Sequence, residues 1–220
     1  MNQKNLIIYG NGSFAQLIKW YIDHDDERHI AAVTVEKSYI KASEFEGLPL
    51  IPFEEIEKSF SASEYEILIC IGYSNMNNNR MRIFHECKKR GFSAASYIHT
   101  SARLSDSSLG EGNIILENTL IQPFVKIGDG NIIWYNISIA HNCTIGDFNN
   151  IAGMASLCGF VEIGNNCFIG NGAIIREETS AADYTLAGAG SYVDRDTKPY
   201  QVIVPGRSIV LEGKTSMEFI

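Results

Sequence analysis

The sequence has no apolar run of 18 residues, so no segment is expected to span a membrane. Basic residues are few: 18 Lys and Arg stand against 26 Asp and Glu, a net charge of -8. Such a chain repels phosphate backbones and anionic surfaces, so neither nucleic acid nor membrane is expected as a partner. The five cysteines include no Cys-x-x-Cys pair. That excludes a disulfide framework or a zinc knuckle and points to reduced thiols in a cytosol. Met1-Asn2-Gln3-Lys4 runs straight into a short strand-like stretch and not into a signal peptide, so a cytoplasmic location is expected. Apolar residues are plentiful, at 45% against 20% charged, enough for a packed core. A length of 220 residues suits two short domains.

Residues 1–98 alternate strand and helix signals. Asn5 to Tyr9 is a short apolar run ending at Gly10. A helical pattern follows, with Phe14, Leu17, Ile18, Tyr21 and Ile22 on one face. Next come a strand over Ile30 to Val35 and a loop carrying Gly47, Pro49 and Pro52. A short acidic helix is expected from Phe53 to Phe60 and a buried strand from Tyr65 to Ile71. A helix over Met76 to Arg90 and a strand over Ala94 to Ile98 complete the series. Alternating elements of this kind predict a small parallel sheet covered by helices, half of a Rossmann-like fold.

Residues 99–220 follow another rule. Leu109, Ile115, Ile121, Ile127, Ile133, Ile139, Ile145, Ile151, Leu157, Ile163, Ile169 and Ile175 recur every six residues. Ala181, Ala187 and Val193 continue the frame. The residue two before each is mostly small, as at Thr119, Val125, Cys143, Ala155, Val161 and Cys167. Gly110, Gly128, Gly146 and Gly164 lie eighteen apart, so three hexads make one coil. This spacing fits neither a helix nor a plain strand. It predicts a left-handed parallel β-helix of hexapeptide repeats, with the aliphatics filling a triangular core and a C-terminal cap closing it.

His141 is the one histidine well inside the coils. Stacked coils set residues eighteen apart side by side, so its neighbours are Gly159 and then Glu177. An imidazole beside a position without a side chain makes a ledge for a slender ligand. A solvent-facing turn side chain is the plainer alternative. A second small column runs Gly153, Asn171, Ala189. In the first domain, Gly10-Asn11-Gly12-Ser13-Phe14-Ala15 joins a strand to a helix, where glycines and a helix N-terminus favour phosphate. As Gly-x-Gly-x-x-Ala, with Glu36 closing the second strand, it also matches a dinucleotide fingerprint. A tight turn with no ligand is the alternative. The amides of Ser74-Asn75-Met76-Asn77-Asn78-Asn79-Arg80 lie past the third strand, placed to bind sugar hydroxyls or phosphates, or to cap the next helix through Asn77.

The stretch Ile139-Ala140-His141-Asn142-Cys143-Thr144-Ile145-Gly146-Asp147-Phe148 resembles the active-site coil of the NeuD/PglD family. These are bacterial sugar acyltransferases that modify sialic acids or nucleotide-linked amino sugars. Val202-Ile203-Val204-Pro205-Gly206-Arg207 resembles the family's cap. Tyr9 to Ala15 resembles its glycine loop, and Ile69-Cys70-Ile71-Gly72 with Arg80 its next segment. The resemblance implies acetyl-CoA as acyl donor, no metal, and active sites between the solenoids of a homotrimer. It implies that His141 is the catalytic base, with Asn142 beside it where many members carry Glu, Asp or His. It places Gly159 near the thioester, Ala189 and Asn150 (a second histidine in some members) on the cofactor, and Pro205 and Arg207 at its adenine and phosphate end. It also implies that Gly10, Asn11, Gly12 and Ser13 hold the nucleotide-sugar. Glu36 stands where several members carry an Asp pair, and Asn75 is a further substrate-binding candidate.

The expected activity is N-acetylation of a nucleotide-linked amino sugar, such as a 4-amino-4,6-dideoxy sugar, for bacterial surface polysaccharide. O-acetylation of a sugar or a sialic acid is the alternative in the same class. Other classes fit less well. An NAD-dependent oxidoreductase lacks a second catalytic domain. A β-helix carbonic anhydrase needs three histidines on zinc, and the solenoid offers only His141 with His99 at its edge. A non-catalytic trimeric scaffold would keep the assembly and bind no CoA.

Overall fold

The computed structural model describes residues 4–208, 211–213, 215 and 217. The end of the expected cap lies largely outside them.

The first strand, β1 (Asn5–Tyr9), is buried from Leu6 to Tyr9. A strand covered on both faces reads as a continuous apolar run, not an alternation. It leads into α1 (Ser13–Asp25), which buries Ala15, Ile18, Tyr21 and Ile22. Then come β2 (Ile30–Val35), β3 (Glu44–Phe45), β4 (Leu48–Pro52), α2 (Ile56–Ser59), β5 (Tyr65–Ile69) and α3 (Asn78–Lys89). The sheet order is β3-β4-β2-β1-β5, parallel except for the β3–β4 hairpin. The loop expected around Pro49 and Pro52 is therefore a strand. It sits next to the sheet edge and pairs with only two residues of β3, so its prolines cost little of the ladder. The strand expected over 94–98 is split. Ala94 bridges to Ile67, whereas Tyr97–Ile98 pairs with Ile114–Ile115 and opens the second sheet system.

That second system is a left-handed parallel β-helix. Two-residue strands stack into three faces, and in all but the end coils each pairs a residue with the one eighteen further on, as in Leu120↔Ser138↔Ser156↔Ile174. Face one begins at Tyr97–Ile98 and contains Ile132–Ile133, Asn150–Ile151 and Phe168–Ile169. Face two contains Leu120–Ile121, Ser138–Ile139 and Ser156–Leu157. Face three contains Lys126–Ile127, Thr144–Ile145 and Glu162–Ile163. The aliphatic frame from Ile115 to Val193 fills one core. Cys143 and Cys167 lie in it as packing groups, and burial pushes the Cys167 thiol up to about 11.

Two polar ladders stiffen the corner between faces three and one. Inside, Asn113 Oδ1 accepts the Asn131 N–H, Asn131 Oδ1 the Asn149 N–H, and Asn149 Oδ1 the Cys167 N–H. Each of these asparagine side chains also donates to a backbone carbonyl, at Gly128, Gly146 and Gly164 respectively. Buried amides are tolerated because their hydrogen bonds are made. Outside, Asp129, Asp147, Asn165 and Asp183 each accept the N–H of the residue eighteen before. The glycines spaced by eighteen make room for this: a Cβ on Gly128 would lie 2.1 Å from Asp147 Oδ1.

The first domain docks on this corner. Phe84 and His85 of α3 meet the Phe148 ring edge-on. Asn77 does not cap α3 through its side chain. Its φ of 65° turns that side chain into the solenoid, where Nδ2 donates to the Cys167 carbonyl. Arg80 is fully buried and has no carboxylate partner among the described residues. It donates to the carbonyls of Gly130, Phe148 and Asn149 on the solenoid, to those of Ile71 and Gly72 after β5, and to Asn77 Oδ1. Burial lowers its pKa to about 9, which leaves it charged at neutral pH.

Candidate functional site

A cavity of about 280 Å³ lies past the carboxyl ends of β1, β2 and β5. The chain reverses its direction of travel across the sheet here, the usual place for a ligand in an open α/β sheet. Gly10, Asn11, Gly12 and Glu36 line it, with Ser74, Asn79 and Arg82 opposite. Gly10 has φ 135°, and a Cβ there would sit 2.6 Å from the Cys70 carbonyl oxygen. Gly12 precedes α1 without a capping side chain, and the first turn has no acidic residue. The helix N-terminus is thus left open to an anion. Asn11 Nδ2 donates to the Tyr39 carbonyl at 3.2 Å. Glu36 is held by Arg82 through two bonds of 2.9 and 3.0 Å. Ser13 faces the next cavity instead. Asn75 lines none of the cavities described here and bonds through its carbonyl to Asn78 Nδ2.

Two more cavities, of about 670 and 300 Å³, continue along the seam between sheet and solenoid. The first shares Gly12, Cys70 and Ser74 with the glycine-loop cavity, and the second shares Tyr73 and Trp134 with the first. Phe14 packs on Trp134 and Tyr73 on Phe168. Asn150 is buried here on face one, where its Oδ1 accepts the Trp134 Nε1–H at 3.3 Å. The trough ends at Tyr135 and Gly153, on the corner between faces one and two.

His141 lies on the next corner, between faces two and three. Its N–H donates to Gln122 Oε1 at 3.1 Å, and its Nδ1 lies 3.0 Å from Asn142 Oδ1. Asn142 holds φ 60°, a conformation that asparagine tolerates. Its carbonyl oxygen only accepts, so this contact assigns the imidazole proton to Nδ1 and leaves a lone pair on Nε2. Phe160 meets the ring edge-on at 5.3 Å. Gly159 lies beneath it: a Cβ there would be 3.1 Å from His141 Cε1 and 3.4 Å from Nε2. The ring, the open Gly159 backbone and the Phe160 wall form an exposed ledge with a proton acceptor at one end.

Ala189 lies elsewhere, at the far end of the corner between faces one and two, and Pro205 Cδ lies 3.7 Å from a Cβ built on its neighbour Gly188. Arg207 follows, exposed. One chain therefore unites Gly10, Asn11, Gly12 and Glu36 in one cavity, and His141, Asn142 and Gly159 on one ledge. It leaves Asn150, Ala189, Pro205 and Arg207 apart from that ledge. Gln122, Arg82 and the aromatic seam are additions that sequence reasoning missed, whereas Asn79 belongs to the amide stretch that it placed there. Among the described residues, no three His, Cys, Asp or Glu side chains cluster as a metal site. No helix among them is long and apolar enough to cross a membrane.

No protein-family model matches the sequence. Among solved structures, the chain is similar to the acetyltransferase domain of PglB from Neisseria gonorrhoeae FA1090 in complex with acetyl coenzyme A. The identity is 22%, over 93% of this chain and 97% of that one, with a TM-score of 0.80. It is also similar to a variant of perosamine N-acetyltransferase from Caulobacter crescentus in complex with CoA and GDP-perosamine. There the identity is 23%, over 91% and 93% of the two chains, with a TM-score of 0.69. A third is WeeI from Acinetobacter baumannii AYE, 20% identical over 92% and 97%, with a TM-score of 0.68. These likenesses span both halves of the chain and establish its fold.

Proposed function

We propose that the protein is an acetyl-CoA-dependent acetyltransferase acting on a nucleotide-linked amino sugar, such as a 4-amino-4,6-dideoxy sugar of bacterial surface polysaccharide. The observation that carries this reading is the ledge at His141. There a lone pair on Nε2, fixed by Asn142, overlooks a backbone that Gly159 leaves open. The thioester lies along that backbone. The sugar amine, as the free base, attacks the thioester carbonyl, and His141 Nε2 takes its proton as the C–N bond forms. Collapse of the tetrahedral intermediate breaks the C–S bond and releases CoA. The similar PglB domain, in complex with acetyl coenzyme A, and the similar perosamine enzyme, in complex with CoA and GDP-perosamine, support the same pair of reactants. O-acetylation would use the same base on a hydroxyl. An acetyl-transfer assay with acetyl-CoA and a panel of nucleotide-linked amino sugars tests the reading. Transfer to none of them removes it.

The division of the site supports a homotrimer. Face two exposes Leu120, Ile174 and Tyr192 around the small Ser138 and Ser156. Exposed Tyr135 and Met154 flank it on one corner, and Phe124 and Phe160 on the other. Packing face two around a threefold axis buries this surface and brings the first corner of one subunit against the second corner of its neighbour. The trough that ends at Tyr135 and Gly153 then meets a neighbouring His141, and Ala189 and Pro205 approach the cofactor on that ledge. Light scattering at micromolar concentration is expected to give the mass of three chains, and the mass of one would contradict the assembly. Gly159→Leu is expected to weaken acetyl-CoA binding by about 1 kcal/mol or more while the fold survives, because the side chain points outward. Unchanged binding by calorimetry would misplace the thioester.

A further inference from the structure

We propose that Arg82 and Glu36 form a displaceable latch on the glycine-loop cavity: the substrate diphosphate takes the Arg82 guanidinium, and the Glu36 carboxylate so released accepts the ribose hydroxyls. This deepens the nucleotide-sugar reading above and rests on it.

Among the described residues, Arg82 is the one cation lining the cavity and Glu36 the one anion. They neutralise each other through both Glu36 oxygens, at 2.9 and 3.0 Å. So paired, each Glu36 oxygen already accepts one guanidinium N–H, and the neutralised carboxylate accepts a ribose hydroxyl less strongly than a free one would. The open end of α1 offers backbone N–H groups and a partial dipole, but no full positive charge. A diphosphate needs a cation, and a planar guanidinium is suited to bind one through two parallel bonds. The pair is also built to part. The Arg82 side chain is 56% exposed and that of Glu36 30%, so water screens their attraction. Arg82 projects from α3 and Glu36 closes β2. The latch thus joins the two walls between which a nucleotide would lie, beyond the carboxyl ends of the strands.

The exchange separates phosphate from ribose energetically. Pyrophosphate alone must break the ion pair and leaves Glu36 without a partner. A nucleoside diphosphate satisfies both ends. A nucleoside alone finds Glu36 occupied. The two residues therefore have opposite effects on the two halves of the ligand.

Isothermal calorimetry on the full chain tests this with UDP, GDP, their 2′-deoxy forms, pyrophosphate, and uridine and guanosine as probes. Wild type should bind UDP or GDP more tightly than pyrophosphate. Arg82→Gln should weaken nucleoside diphosphate and pyrophosphate by roughly 10-fold or more, the scale of a charge-assisted bond, and leave nucleoside binding unchanged or stronger. Glu36→Gln should strengthen pyrophosphate binding by a few-fold and abolish the preference for ribose over 2′-deoxyribose. Absence of UDP and GDP binding by wild type overturns the latch. So does an Arg82→Gln variant with unchanged diphosphate affinity, or a Glu36→Gln variant that binds pyrophosphate more weakly. Both positions are half-exposed, and a thermal melt of each variant shows whether the fold is intact. The acetyltransferase reading fails separately. A protein with the full exchange pattern but no acetyl transfer refutes that reading alone. An active transferase indifferent to Arg82→Gln refutes the latch alone.

Discussion

His141→Ala is expected to lower kcat by roughly 10²- to 10⁴-fold, the usual cost of losing a general base. The KM for acetyl-CoA should change little, because the ledge beneath the ring is backbone at Gly159 and remains in place. His141→Asn should be as slow as alanine, since an amide can hydrogen-bond but cannot take the proton. Asn142 acts through His141, by accepting from Nδ1 at 3.0 Å. Its removal should cost much less, and glycine is the cleaner replacement because φ is 60° there and alanine would add backbone strain. Wild-type turnover by His141→Ala on a confirmed substrate would move the proton acceptor elsewhere in the cleft and leave the solenoid untouched.

The solenoid is legible in the sequence because its core is narrow. Each hexad must place one aliphatic inward, and any polar residue there would be buried without partners. The juxtaposition of His141 and Gly159 follows from the same arithmetic, since one coil is eighteen residues. The inner amide ladder obeys that arithmetic too, at Asn113, Asn131 and Asn149. It escapes notice because asparagine is ordinary at turns, and only its partners show that it is buried. β4 was hidden by Pro49 and Pro52, which signal a loop unless the strand lies near an edge. Asn77 matched a helix cap by position, but its left-handed backbone sends the amide across the seam. Arg82 looks like one more charge on a solvated helix face until the fold sets it opposite Glu36. Asn150 is opposite in character. The family resemblance suggested a cofactor contact for it, and the fold buries it beside Trp134, a pairing that depends on how the first domain covers face one.

Arg80→Met is expected to destabilise the protein by roughly 3–5 kcal/mol, and so to lower the melting temperature by roughly 6–20 °C. Arg80 is buried, and its guanidinium serves the carbonyls of Gly130, Phe148 and Asn149 on the solenoid and of Ile71 and Gly72 on the first domain. Methionine fills part of the volume and satisfies none of these oxygens. Arg80→Lys should recover only a fraction, because an ammonium has three donors on one atom and cannot span the two groups of carbonyls. The damage should be uneven. Ile71 lines the glycine-loop cavity and Gly72 the seam beside it, so nucleotide affinity should fall in the variant even at temperatures where it remains folded. The ledge at His141 stands on the corner between faces two and three, away from the corner that Arg80 grips. Acetyl-CoA binding by calorimetry should therefore be nearly unchanged. A variant that melts with wild type would show that water replaces the guanidinium at no cost. Equal loss of both affinities would show that Arg80 supports the whole chain and does not specifically align the nucleotide loop with the solenoid.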